Sequence, residues 1–450
     1  MDTRMAAPIL HPETPEENIV YYTILWTWGF WVIGALYIVA PVVGWYLAYR
    51  ALLRYVGQSS SACMRAPRIP FGIIVWWVSM GAMLFALVAA HISFDLGLGS
   101  MLKSSIGWAK GWGLMAVFPW IGAMSPIRAE IVYRATNKLA LQTLLFVPIF
   151  IGAALAHLPH PLYVSPLQIV GGPGPEFFRV ELYSIDETNG NLRWSFFAPW
   201  SPAAAFIANV SLVFALYDRS RFWKWIGVAC CVVVSVLSQS RLALIAIPAV
   251  VLLLAIFCNL TRPLTLGLAS ILATLGLLSA SPIMSLVDTF TQRFNQARAA
   301  SSRVRAVLRS IALHRWESEA PIFGHGVVEK GPHIVEHMPI GSHHSWYGLL
   351  FVKGIVGFAA LAVPLAWTIL ELLVKAQADR VARCALGVVI IITFYTFGEN
   401  LEILSYLFWP GLVVIGIAMR RRVFNPLRCR FERLQASGAE GTQLAHGSSI

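Results

Sequence analysis

The chain has 450 residues, of which 57% are hydrophobic and only 12% charged, and its mean hydropathy is +0.67. A soluble globular domain carries about 25% charged residues, so this much apolar surface cannot be hidden in one water-soluble core; soluble enzymes and disordered scaffolds are excluded. The net charge of +12 is read first as topological, because Lys and Arg are retained in the cytoplasmic loops of membrane proteins, and no nucleic-acid partner is expected.

Residues 1–18 form an acidic N-terminal segment (Asp2, Glu13, Glu16, Glu17), and the apolar stretch behind it is too long for a cleaved signal peptide. Apolar spans follow near 19–48, 70–92, 107–125, 139–158, 201–217, 225–240, 242–260, 264–284, 346–374, 384–398 and 400–419. They predict an all-α fold: a polytopic integral membrane helical bundle of about 11 (10–12) transmembrane helices with two long outer loops. Helices 1–4 fill 19–158, helices 5–8 fill 201–284 and helices 9–11 fill 346–419. The first outer loop is 159–200, with the Gly-Pro-rich run Gly171-Gly-Pro-Gly-Pro175, and the large Arg/His-rich loop is 285–345. A basic tail, 420–450, is small and polar enough to be disordered on the cytoplasmic side.

The charges fix an orientation. Arg50, Arg54, Arg65 and Arg68 follow the first span, Arg128, Arg134 and Lys138 the third, and Arg219, Arg221 and Lys224 the fifth. Arg262 follows the seventh, Lys375, Arg380 and Arg383 the ninth, and Arg420 to Arg422 begin the tail. All fall on the cytoplasmic face if the N-terminus lies outside and the C-terminus inside. The cysteines (63, 230, 231, 258, 384 and 429) avoid both long loops, which argues against a disulfide framework.

Polar residues capable of chemistry collect at the outer face. His314, His325, His333, His337, His343 and His344 account for six of the eleven histidines and all lie in the large loop. His343 and His344 stand at the water boundary just before a span, where a near-neutral pKa suits removal of a proton from a hydroxyl; an aromatic-belt position beside Trp346 and Tyr347 is the plainer alternative. Arg293, Arg298, Arg303, Arg305 and Arg309 crowd the same loop, and Arg241 sits where two spans turn. Several guanidinium forks facing the outer leaflet suit a phosphate-bearing ligand, or else a helix resting on anionic headgroups. Glu399 and Glu402 border the last hairpin and fit either the orientation of a His or Arg, or plain ion pairing. His333-Ile-Val-Glu336-His337 matches the pattern of inverted zinc peptidases, but Pro332 and Pro339 bracket it, so no metal is assigned. No Walker-type or dinucleotide-binding glycine motif is present, and no cofactor is expected.

At these residues the sequence resembles the O-antigen ligase and polymerase superfamily of bacterial membrane glycosyltransferases. Arg193-Trp-Ser-Phe-Phe-Ala-Pro199 resembles the segment closing the family's first outer loop, and Ser238-Gln-Ser-Arg241 its Ser-x-Ser-Arg turn. Arg305 followed by Pro321-Ile-Phe-Gly-His-Gly326 is similar to the arginine and the Pro-x-x-Gly-x-Gly stretch of its large loop. His344-Ser345 followed by Gly354-Ile-Val-Gly357 is similar to its His and Gly-x-x-Gly, with a spacing one shorter than in ligases; the paired histidines leave the choice of His open. The resemblance spans roughly residues 190–360, and its Gly-Ser-His setting lies closer to polymerases than to ligases.

What the resemblance implies is inverting transfer of a glycan from undecaprenyl diphosphate to an acceptor hydroxyl at the periplasmic face of the inner membrane, in O-antigen, capsule or exopolysaccharide assembly. His344 or His343 would be the base, and Arg241, Arg305, Arg193 and Arg303 would hold the diphosphate, with Glu399 and Glu402 in support. The expected partners are the lipid-linked donor, a glycan or glycolipid acceptor, the bilayer, and export or chain-length-control proteins. A flippase of the same lipid-linked sugar is the alternative from another class. It would place charges through the membrane, whereas here the spans are nearly free of charge at mid-depth.

Overall fold

The computed structural model describes residues 10–59, 68–186, 190–278, 285, 299–335, 338–341 and 344–421. The chain opens with α1 (Pro15–Leu25), α2 (Thr27–Val32), α3 (Leu36–Ser59), α4 (Phe71–Ser93), α5 (Leu98–Lys110), α6 (Leu114–Met124) and α7 (Ala129–Leu155). Two small antiparallel ribbons follow, β1 (Tyr163–Val164) with β2 (Arg179–Val180) and β3 (Ser184–Ile185) with β4 (Leu192–Arg193). Then come α8 (Ser201–Tyr217), α9 (Arg221–Leu237), α10 (Arg241–Phe257), α11 (Pro263–Leu278), α12 (Ala299–Glu319), α13 (Ser345–Ala376), α14 (Arg380–Tyr395) and α15 (Leu401–Arg420). The protein is an all-α membrane protein: α3, α4, α7, α13 and α15 are each long and apolar enough to cross a bilayer.

The bundle has a basic end and a loop end. At the basic end, Arg134 pairs with Asp218 at 3.0 Å, Arg128 with Glu17 at 2.7 Å, and Arg420 donates to the Ser125 carbonyl at 2.6 Å. At the loop end lie the ribbons, α5, α12 and the first turn of α13. Close backbone approach holds the centre together. A Cβ on Gly122 of α6 would overlap the Val413 carbonyl of α15, and one on Gly416 would overlap the Pro119 carbonyl, so two glycines let these helices touch. Phe118 stacks on Trp409 at 5.1 Å and Phe206 on Tyr395 at 4.3 Å.

The start of the chain corrects the expected topology. Thr14 caps α1 by accepting from the Glu17 amide at 3.2 Å, Glu17 accepts in return from the Glu13 amide at 2.8 Å, and Pro15 occupies the first turn, where its missing N–H costs nothing. The helical path runs through α2 to Gly34, at φ +72, where any Cβ would overlap Ser165. The chain then returns as α3. The apolar stretch 19–48 is therefore an out-and-back pair, not one span. It brings buried Glu16 to 2.9 Å from Arg50 and 3.0 Å from Arg54, and puts Glu13, Glu16 and Glu17 at the basic end instead of opposite it. Breaking such a buried ion pair from one side is costly, which fixes this fold-back.

The stretch 107–125 also divides, at Gly111–Gly113. α6 is only 11 residues long and wholly buried, while α5 has no buried residue and exposes Leu98 and Leu102 at the loop end. Helices α9 and α10 match the expected spans 225–240 and 242–260 closely. Cys230, Cys231, Cys258 and Cys384 are buried free thiols. Of the tail expected at 420–450, residues 422–450 lie outside the described residues.

One element is interrupted. α13 is helical on both sides of Gly354, which itself adopts φ +62 and ψ −162. The Pro321–Gly326 segment fills the interruption. The amides of His325 and Gly326 donate to the Phe351 and Val352 carbonyls, both at 2.9 Å, and the amides of Ile355 and Val356 donate to the Pro321 and Ile322 carbonyls at 3.0 and 3.3 Å. Two carbonyls before the break and two amides after it are thereby satisfied, as a buried helix end requires. Gly324 (φ +70) and Gly326 (φ +80) supply the backbone that only glycine adopts readily.

Candidate active site at the loop end

His344 is the extended residue that caps α13, half-buried at the loop end. Its ring lies 4.2 Å from the Tyr347 ring and meets Phe397 edge-on at 5.7 Å. Its Nδ1 is buried and has no hydrogen-bond partner among the described residues. Burial, and next the positive charge of Arg309, lower the His344 pKa to about 4. The imidazole is therefore neutral at physiological pH, the form that can accept a proton.

Ser345 anchors this histidine to the turn between α14 and α15. Its amide donates to the Thr396 carbonyl at 3.0 Å, its hydroxyl donates to the Glu399 carbonyl at 2.7 Å, and that hydroxyl accepts from the Leu401 amide at 3.1 Å. Trp346 adds a bond to the Thr396 hydroxyl at 2.9 Å. The Glu399 carboxyl is buried and accepts from the Trp200 indole at 2.9 Å. Burial raises its pKa to about 7, against the opposing pulls of the Trp200 N–H and the Arg305 guanidinium.

Arg303, Arg305 and Arg309 are all exposed on α12. Leu308 and Ala312, three residues on from Arg305 and Arg309, bury the adjoining side of that helix against Val335, Ile340, Phe351 and Val352, which sets α12 over the start of α13. Arg305 thus acts on Glu399, while Arg309 lies 5.8 Å over the Tyr347 ring. Farther along, Arg315 pairs with Glu319 at 2.8 Å and also with Glu329, and packs over Phe351 at 5.2 Å, pinning the helix.

Arg241 begins α10 at the end of the Ser238–Ser240 turn, where Gln239 adopts φ 51 and Ser240 caps the helix by accepting from the Ala243 amide. Gln239 donates to the Leu192 carbonyl at 3.0 Å, tying this turn to β4, the strand that carries Arg193. Arg193 is itself ion-paired with Asp186 at 3.4 Å. Below the turn, Asn209 donates to the Tyr395 hydroxyl at 3.0 Å and accepts from the Cys231 thiol at 3.3 Å, a buried brace between α8, α9 and α14.

The structure thus gathers His344, Arg305 and Glu399, and adds Arg309 and Trp200. Glu402 is turned elsewhere: it lies 4.0 Å from Lys353, a buried ammonium one residue before the break in α13, and packs on Gly111. Arg309 carries a sequence signal, since it follows Arg305 by four residues and shares its helical face. Trp200 directly follows the Arg193–Pro199 segment. His343, Arg293, Arg298, Glu336 and His337 lie outside the described residues, and His333 opens a short 3-10 turn. His325 belongs to the scaffold: it stacks on Phe351 at 4.3 Å and its two ring nitrogens face Glu319 and the Phe351 carbonyl at 2.8 and 3.0 Å. Among the described residues no three His, Cys, Asp or Glu side chains come together as a metal site.

No curated protein compared with this chain matches it. Residues 226–362, from early α9 to the middle of α13, match the family model described as O-antigen ligase. That segment contains Arg241, Arg305, Arg309 and His344, whereas Arg193, Trp200, Glu399 and Glu402 lie outside it. Residues 226–362 of this membrane protein are therefore similar to the O-antigen ligase family.

Proposed function

We propose that this protein is an inverting glycosyltransferase of the periplasmic face of the bacterial inner membrane. It transfers a glycan from undecaprenyl diphosphate to an acceptor hydroxyl during O-antigen, capsule or exopolysaccharide assembly. The observation that carries this proposal is a neutral, half-buried histidine set among arginines at the end of the bundle opposite the cationic loops. Such a pairing suits a reaction whose leaving group is a diphosphate already bonded to the anomeric carbon.

The acceptor oxygen attacks that carbon from the face opposite the diphosphate. The new bond joins acceptor oxygen to anomeric carbon, the bond from that carbon to the diphosphate oxygen breaks, and the acceptor proton passes to the His344 ring. Arg241, Arg305 and Arg303 hold the diphosphate and stabilise the charge that grows on it. Arg193, paired with Asp186, contributes by closing the first loop over the Arg241 turn. The donor brings its own activation, so this route has no nucleotide step. The Gly341-Ser-His343 setting favours a polymerase, with a second lipid-linked unit as acceptor, over a ligase.

A knockout strain complemented with wild type, His344→Ala, His343→Ala or Arg241→Ala at matched expression tests this. Surface glycan and lipid-linked intermediates are read by gel and mass spectrometry. With His344→Ala, single lipid-linked repeats accumulating without a ladder identify a polymerase. Long chains stranded on the lipid identify a ligase. Wild-type glycan from every variant overturns the site and turns attention to lipid-linked sugar export.

A further inference from the structure

Arg309 is the arginine in the loop-end cluster that reaches His344 through a ring. Its guanidinium lies 5.8 Å over the Tyr347 ring, and that ring lies 4.2 Å from the His344 ring. Unlike Arg315, which is held by Glu319 and Glu329, Arg309 has no carboxylate partner among the described residues, and its side chain is exposed. Among the described residues, the other charged or titratable groups around the histidine are Tyr347 on its own helix and Glu399 across the α14–α15 turn. Glu399 is engaged by Trp200 and Arg305.

We propose that Arg309 is a positioning residue that makes His344 a stronger base only when the donor's diphosphate is in place, an inference that rests on the transferase proposal above. With the site empty, the positive charge beside the ring disfavours the imidazolium, and His344 is a weak base. A diphosphate paired with Arg309 cancels that field, so the imidazolium that forms as the acceptor loses its proton is opposed by burial alone and no longer by a like charge. The Tyr347 ring fixes the separation of the two cations and keeps the guanidinium turned to the ligand side. Proton removal is thereby linked to occupancy, and an empty site does not activate water.

The full-length protein in lipid nanodiscs allows a test with inorganic pyrophosphate as the probe. Diethyl pyrocarbonate modifies only the neutral imidazole, so its reaction at His344, read by peptide mass spectrometry across pH, gives the protonation midpoint at that residue. For wild type the midpoint is expected at about 4, moving upward when pyrophosphate is added. Arg309→Gln should raise the midpoint by about one pH unit without pyrophosphate and abolish the further response, since a like charge has been removed. Arg309→Lys should keep both the low midpoint and the response. A midpoint in Arg309→Gln equal to wild type, or an undiminished pyrophosphate response in it, overturns the coupling. Wild-type transfer rates in His344→Ala would instead overturn the transferase proposal beneath it, so the two failures are distinct.

Discussion

Burial drives Glu399 and His344 toward the same electrical state from opposite sides, the carboxyl up to about 7 and the imidazole down to about 4, so each favours its neutral form. The linkage signs differ. His344 contributes stability that is present above its ordinary pKa of 6.5 and is lost as pH falls through about 4, whereas the Glu399 contribution is present below 4.5 and is lost as pH rises through about 7. Trp200 is the group that holds the Glu399 carboxylate. Trp200→Phe keeps an aromatic ring against Phe177 but removes the donor, and the Glu399 pKa is expected to rise further. In the pH profile of transfer, a limb near 7 should move upward in that variant; an unmoved limb would show that the indole does not govern the carboxyl. His344, Arg305 and Glu399 were legible in the sequence because a His, an Arg or a Glu at a membrane boundary calls for a reason. Trp200 was not, since an indole in an aromatic-rich chain carries no charge to betray its partner.

The glycine motifs acquire their meaning at the level of elements. Pro321–Gly326 and Gly354–Gly357 stand far apart in sequence but form one contact, in which the loop supplies the hydrogen bonds that the interrupted α13 lacks. Gly354 at φ +62 and ψ −162 occupies backbone space that side chains avoid, and a Cβ there would overlap the Ile322 carbonyl. Gly354→Ala is therefore expected to cost about 2 kcal/mol or more, seen as a lower melting temperature in detergent and increased protease cutting near Pro321. An unchanged melting temperature would show that the break is not required. The motifs could be seen in the sequence, but their pairing could not, because residue spacing does not reveal a break inside an apolar helix. For the same reason the turn at Gly34 stayed hidden in the apolar run 19–48, and α6 was merged with part of α5.

The whole molecule is organised by its two ends. Among the described residues, Arg50, Arg54, Arg128, Arg134 and Arg420 do collect at one end, and that much of the topology is written in the loops. The position of α1 is not, because it depends on counting one crossing or two through a stretch with no polar interruption. Pairing of Glu16 with Arg50 and Arg54 now sets it. Single cysteines introduced at Glu13 and Arg421, in a background lacking native cysteines, should both resist an impermeant maleimide applied to spheroplasts and both react after lysis. Labelling of Glu13→Cys alone in intact spheroplasts would restore the single crossing.

The proposed transfer depends most heavily on His344 as the base for attack on a lipid-linked donor. The most direct measurement uses purified protein in nanodiscs with undecaprenyl-diphosphate-linked glycan and acceptor, following both transferred glycan and released undecaprenyl diphosphate for wild type and His344→Ala. Loss of a general base predicts a fall in kcat of roughly 100-fold to 10,000-fold, with the two products still formed one for one and with inverted configuration at the new linkage. Turnover by His344→Ala at the wild-type rate, or retention of configuration in the product, would contradict it.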